Sequence, residues 1–162
     1  MNATPGQRNA AVTRTAILLG IAYGVALALI AFWPTPVDQG GRASLLSILD
    51  WLHNHGVPEW LGYRWVEFAA NIVLFMPVGL LGVVLIGARR WWLTFLSGFL
   101  LSCLIETGQL LFLPSRFPSR ADILANTTGA VFGALLALLA LAVLRVLSRP
   151  RVPVVAPGTI ES

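Results

Sequence analysis

Residues 102–129 read SCLIETGQLLFLPSRFPSRADILANTTG. Two apolar runs meet here at a short turn that carries Pro114, Arg116, Pro118 and Arg120. Glu106 and Gln109 interrupt the end of the first run, and Asp122 and Asn126 the start of the second. A carboxylate inside a membrane segment is costly, so it is expected to face the protein interior and to find a partner there. The other helices are therefore expected to pack around this hairpin and to close a polar site near one membrane face.

The rest of the composition agrees with a membrane setting. The chain is 57% hydrophobic and only 11% charged, unlike the mixed profile of a soluble domain. Four apolar runs approach or exceed the roughly 20 residues needed to cross a bilayer. The fold class is all-α: a polytopic membrane protein with four transmembrane helices plus a short interfacial amphipathic helix. All eleven basic residues are arginine. The formal charge of +4 does not argue for nucleic acid, because arginines at helix ends are the ordinary flanks of membrane spans. Cys103 is the single cysteine, which excludes an intramolecular disulfide and any zinc site built on paired cysteines. No metal or cofactor is expected. P-loop, GxGxxG, GxSxG, HExxH and CxxC patterns are absent.

Taken in order, residues 1–13 read as a disordered tail, residues 14–148 as the helical membrane domain and residues 149–162 as a second disordered tail. The first span is expected over residues 15–33. A signal peptide is its rival, because Ala26 and Ala28 form an A-x-A pattern. The apolar stretch continues past that point and exceeds a usual h-region, which favours an uncleaved helix. In the connection that follows, Leu45, Ile48, Leu49 and Leu52 share a helical face opposite Ser44, Ser47, Asp50 and Asn54. That amphipathic segment is too short to span and is expected in the interface. His53 and His55 at its end read as loop histidines in preference to metal ligands. The second span is expected over residues 65–87, with Glu67 and Asn71 on one face and a helix-breaking Pro77. The third is expected over residues 93–113 and the fourth over 121–147. Gly129 and Gly133 form a GxxxG pair that serves close helix packing.

With four spans, seven arginines (Arg8, Arg14, Arg89, Arg90, Arg145, Arg149, Arg151) fall on one side and four (Arg42, Arg64, Arg116, Arg120) on the other. The positive-inside rule then puts both termini in the cytoplasm. At 1.5 Å per residue, Asn71 lies about 9 Å, Gln109 about 6 Å, Glu106 about 11 Å and Asn126 about 7 Å below the outer ends of their helices. Three helices thus present polar groups at one depth, with Arg116 and Arg120 on the loop above them. A guanidinium in that place pairs with a carboxylate or clamps a phosphate.

Each residue also has a structural reading. Ser119 and Asp122 have capping-box spacing, and an acid in a first helical turn, as expected for both Asp122 and Glu67, is favoured by the helix dipole. Asn71 and Asn126 are able to bridge helices by hydrogen bonds alone. Glu106 is mid-helix and far from a cap, so it either pairs with Arg116 or Arg120 or serves function. Gln109 shares its face.

These residues carry a family resemblance. NIVLFMPVGLLG from Asn71, SCLIETGQ from Ser102 and SRADILANTTGAVFG from Ser119 together resemble the VanZ-like family of small bacterial membrane proteins, over roughly residues 67–139. The resemblance implies that Asn71, Pro77, Gly79, Glu106, Gln109, Arg120, Asp122, Asn126 and Gly129 are motif positions, with Arg116 as the alternative arginine. The family's Asp-Lys-x-x-His motif is incomplete here: Asp50 and His53 are present without the lysine. Family members resemble their type protein in lowering susceptibility to glycopeptides such as teicoplanin.

The expected function follows from both lines of reading. A multi-pass protein of the bacterial plasma membrane would bind a lipid, a lipid-linked cell-wall precursor or a lipoglycopeptide in an outward-facing polar cavity. Its ligand-binding residues would be Glu67, Asn71, Glu106, Gln109, Arg116, Arg120, Asp122 and Asn126. One alternative is an intramembrane hydrolase or transferase with Glu106 as general base. Another is a small proton-coupled transporter using Glu106 and Asp122, which at this size would require a homo-oligomer.

Overall fold

A computed structural model describes residues 5–33, 40–114 and 119–148. These form five α-helices: α1 (Pro5–Ala31), α2 (Arg42–Asn54), α3 (Tyr63–Ile86), α4 (Trp92–Phe112) and α5 (Arg120–Leu147), with a single 3-10 turn at Ala88–Arg90. Ala10–Ala31, α3, α4 and α5 are each long and apolar enough to cross a membrane, and no strand occurs among the described residues. The three later spans begin and end within two residues of the expected limits. The first does not. Its helix starts at Pro5, so part of the expected N-terminal tail is helical, with proline at the first position it favours. Residues 34–39, Arg116 and the expected C-terminal tail lie outside the described residues.

The interior is built where α5 packs on α3. A side-chain carbon on Gly129 would come within 2.2 Å of the Ile72 carbonyl oxygen, and one on Gly133 within 1.8 Å of that of Met76. One on Gly79 would meet the Ala130 carbonyl oxygen at 1.8 Å. Only hydrogen fits, and the two backbones touch in the manner of small-residue membrane interfaces. Ile72 faces Gly129 and Met76 faces Gly133, so residue numbers rise in the same direction along both helices and α3 and α5 run parallel. α4 packs antiparallel to α5, with Gly98 against the Ala130 methyl and Ser102 bonded to Asn126. α4 buries Thr94, Gly98, Ser102, Ile105, Glu106 and Gln109, a stripe whose spacing of three and four keeps it on one face. α1 adds Leu27 and Ala31 to a cluster with Phe75 and Ile105. It packs on α3 and α4 but scarcely on α5.

α2 is joined to α3 by the Arg42 guanidinium, 4.8 Å above the Tyr63 ring, and its one buried residue is Leu49. It ends in a Schellman turn. The Gly56 amide donates to the His53 carbonyl and the Val57 amide to that of Leu52, while Gly56 takes the positive φ this turn requires. Both histidines are used locally. The His55 ring stacks on Trp51 at 4.1 Å with Nδ1 2.7 Å from the Trp51 carbonyl oxygen, and His53 Nε2 lies 3.3 Å from that of Leu61.

Candidate functional site

The C-terminal ends of α1 and α4 and the N-terminal ends of α3 and α5 meet at one end of the bundle, and the polar residues converge there. Ser119 caps α5: its backbone is extended, and its Oγ accepts from the Asp122 amide at 3.3 Å. In a capping box the acid three residues on would reach back to the cap's own amide. Here that amide donates instead to Glu106 Oε2 at 2.7 Å. The acceptor thus comes from another helix, thirteen residues earlier in the chain. Asp122 turns elsewhere and accepts from Asn71 Nδ2 at 3.1 Å. Glu106, Ser119, Asp122 and Asn71 therefore form one chain of polar contacts joining α4, α5 and α3. Two carboxylates gather around the partial positive charge of the α5 N-terminus, where the helix dipole favours them.

One turn deeper, Asn126 Nδ2 donates to Ser102 Oγ at 2.9 Å. Ser102 lies four residues before Glu106, and Asn126 four after Asp122, so this second rung repeats the first. Glu106 and Asn126 are each only 5% exposed. The Asn126 Oδ1 has no hydrogen-bond partner among the described residues. Gln109 is also buried but turns towards α1, where its Nε2 donates to the Ala31 carbonyl at 2.8 Å. That carbonyl ends a helix and lacks an intrahelical donor, so Gln109 closes α1 and is not part of the Asn71–Asp122 chain.

A cavity of about 290 Å³ opens beside this network, lined by Arg64, Glu67, Phe68, Ser119, Ala121 and Asp122. Glu67 belongs to the second turn of α3, because the helix begins at Tyr63; the first-turn reading of Glu67 does not hold. Arg120 is exposed at the start of α5 and is not among the lining residues. Among the described residues the arginine on the wall is Arg64, which sequence reasoning had counted only for topology. Its signal was available: it stands three residues before Glu67, on the same helix face. Ser102 was likewise missed, since a serine in an apolar run reads as a small packing residue. Among the described residues no three His, Cys, Asp or Glu side chains converge as a metal site.

The VanZ/LLP1 family model matches residues 19–142. No curated relative and no solved structure matches the chain. The match spans the second half of α1, all of α2 to α4 and most of α5, and it contains every residue of the polar network. It extends well beyond residues 67–139, where the motifs had pointed to this family. A match over more than half of the chain, centred on the helices that build the site, makes this protein a member of the VanZ/LLP1 family.

Proposed function

We propose that the end cavity binds the polar headgroup of a membrane-embedded ligand: a lipid, a lipid-linked cell-wall precursor or a lipoglycopeptide. The observation that carries this reading is the lining itself. Arg64, Glu67 and Asp122 bring charges of both signs to one cavity at the end of an apolar bundle. Such a wall has a guanidinium for a phosphate or carboxylate and carboxylates for hydroxyl or amine donors, while Phe68 covers an apolar edge. Glu106 acts from behind this wall. It holds Ser119, and through the α5 cap it orients Asp122, rather than serving as a base. A general base needs an oxygen within reach of substrate, whereas Glu106 is not among the residues that line the cavity and its Oε2 receives the Ser119 amide.

The arginine bias supports an orientation in which the cavity opens on the outer face of a bacterial plasma membrane and both termini are cytoplasmic. In that orientation α2 lies along the outer interface. Leu49 is buried against the protein while Ile48 and Trp51 remain exposed, the apolar and aromatic surface an interfacial helix requires. Glycopeptide susceptibility would fall if the bound ligand were the drug or its lipid-linked target.

Native mass spectrometry of the protein released from vesicles of envelope lipid tests the reading. Lipid adducts retained by the parent chain should drop severalfold in Arg64→Ala and Glu67→Gln, with melting unchanged. Identical adducts in both variants would remove the cavity from consideration.

A further inference from the structure

A second cavity, of about 340 Å³, lies far from the first and has different walls. Its floor is Met76, Pro77, Leu80 and Leu81 of α3, with Leu19 and Tyr23 of α1 on one side and Gly133 and Leu136 of α5 on the other. Met76 stands nine residues beyond Glu67, about 13 Å farther along the helix, so this crevice is at mid-span depth. α1 and α5 flank it while scarcely touching each other, which leaves its mouth open sideways, in the plane of the membrane.

Two observations mark it as a real slot. Gly20 lies on the same face of α1 as buried Ala16 and Leu27, yet nothing comes within 4 Å of the place its side chain would occupy. The inward face of α1 therefore stands off from the bundle here. Second, the wall is almost wholly apolar. The Tyr23 hydroxyl donates to the Leu74 carbonyl, beside the turn where Pro77 removes an amide donor. Water has no partners in such a slot, and leaving it empty would forfeit the dispersion contacts of every lining atom.

We propose that this crevice holds one hydrocarbon chain of a membrane lipid. The medium selects the occupant. At this depth only hydrocarbon reaches a sideways-facing apolar mouth, and the lining offers a chain close contact without asking for a hydrogen bond. The groove separates a chain from the surrounding lipid by gripping it on three sides, which the convex outer faces of α4 do not.

Photolabelling tests this in proteoliposomes of phosphatidylglycerol doped with a phosphatidylcholine that carries a diazirine midway along one acyl chain. Label should concentrate on residues 19–23, 76–81 and 133–136, severalfold above Leu104 and Leu111, which are exposed on α4. Gly20→Leu fills the slot from α1 and should lower crevice label severalfold while label at Leu104 is unchanged. Leu136→Trp fills it from α5 and gives the same reading if the first variant fails to insert. Equal label in crevice and on α4, or label indifferent to both fillers, overturns the proposal. So does a Leu19→Cys disulfide between two copies in a Cys103→Ser background with no crevice label, which would assign the groove to a second copy of the chain.

Discussion

Glu106 illustrates how a single buried acid is explained by its neighbours. Its carboxylate accepts the one amide that the α5 capping box leaves for a side chain, so its first task is to hold α5 against α4. Glu106→Ala should orphan the Ser119 amide and cost about 1–3 kcal/mol, measured by denaturant titration in detergent. Glu106→Gln keeps an acceptor oxygen and loses only the charge, so about half that loss is expected. Equal losses in the two variants would mean that the cap bond carries none of the effect. Asn71→Leu removes the donor to Asp122. It should weaken ligand adducts more than Asn126→Leu, because Asn71 orients a cavity residue and Asn126 bonds to Ser102, which is not on the wall. Adduct intensities across the two variants decide this. The capping role of Ser119 was legible in the Ser119–Asp122 spacing, since it is local. The acceptor from Glu106 was not, because the same spacing pointed to Asp122 for that task.

At the scale of helices, the contact of α3 with α5 sets the tolerance to substitution. Gly133→Ala and Gly79→Ala would each drive a methyl into a facing backbone, and backbone cannot move aside as a side-chain end can. Each should cost about 3 kcal/mol or more, at or beyond the upper range for overpacking. Gly24→Ala on α1 meets nothing within 4 Å and should be neutral, or stabilising by about 0.5–1 kcal/mol from helix propensity alone. Thermal unfolding of the three variants checks the contrast, and a Gly24→Ala loss matching that of Gly133→Ala would refute it. The GxxxG spacing in α5 was readable from sequence as a packing surface. Its partner was not: nothing in the order of residues distinguishes α3 from α4 as the helix that lies against Gly129.

For the whole molecule, the testable consequence is which face of the membrane carries the polar end. The seven-to-four arginine bias predicts that, in a Cys103→Ser background, Asn54→Cys reacts with an impermeant maleimide added to intact cells. Arg90→Cys should react only after permeabilisation. The reverse pattern would turn the cavity towards the cytoplasm and remove cell-wall precursors on the outer leaflet from its ligands. Either result leaves the bundle itself unchanged, because its packing does not depend on orientation.

The residues by themselves determined the number of spans, their limits to within a few positions for three of the four, and the end of the bundle where polar groups collect. These follow from hydropathy, length and helical period, which are properties of a local stretch of chain. The tertiary structure alone decided which polar groups meet. Gln109 closes α1 through a carbonyl 78 residues away, Arg64 and not Arg120 lines the cavity wall, and Glu106 accepts the Ser119 amide in place of Asp122. The physical reason is that a hydrogen bond reaches about 3 Å, so its partner is chosen by how helices cross and rotate. Hairpin 102–129 announces by sequence that its polar residues must be satisfied. The packing of α1, α3, α4 and α5 against one another determines by whom.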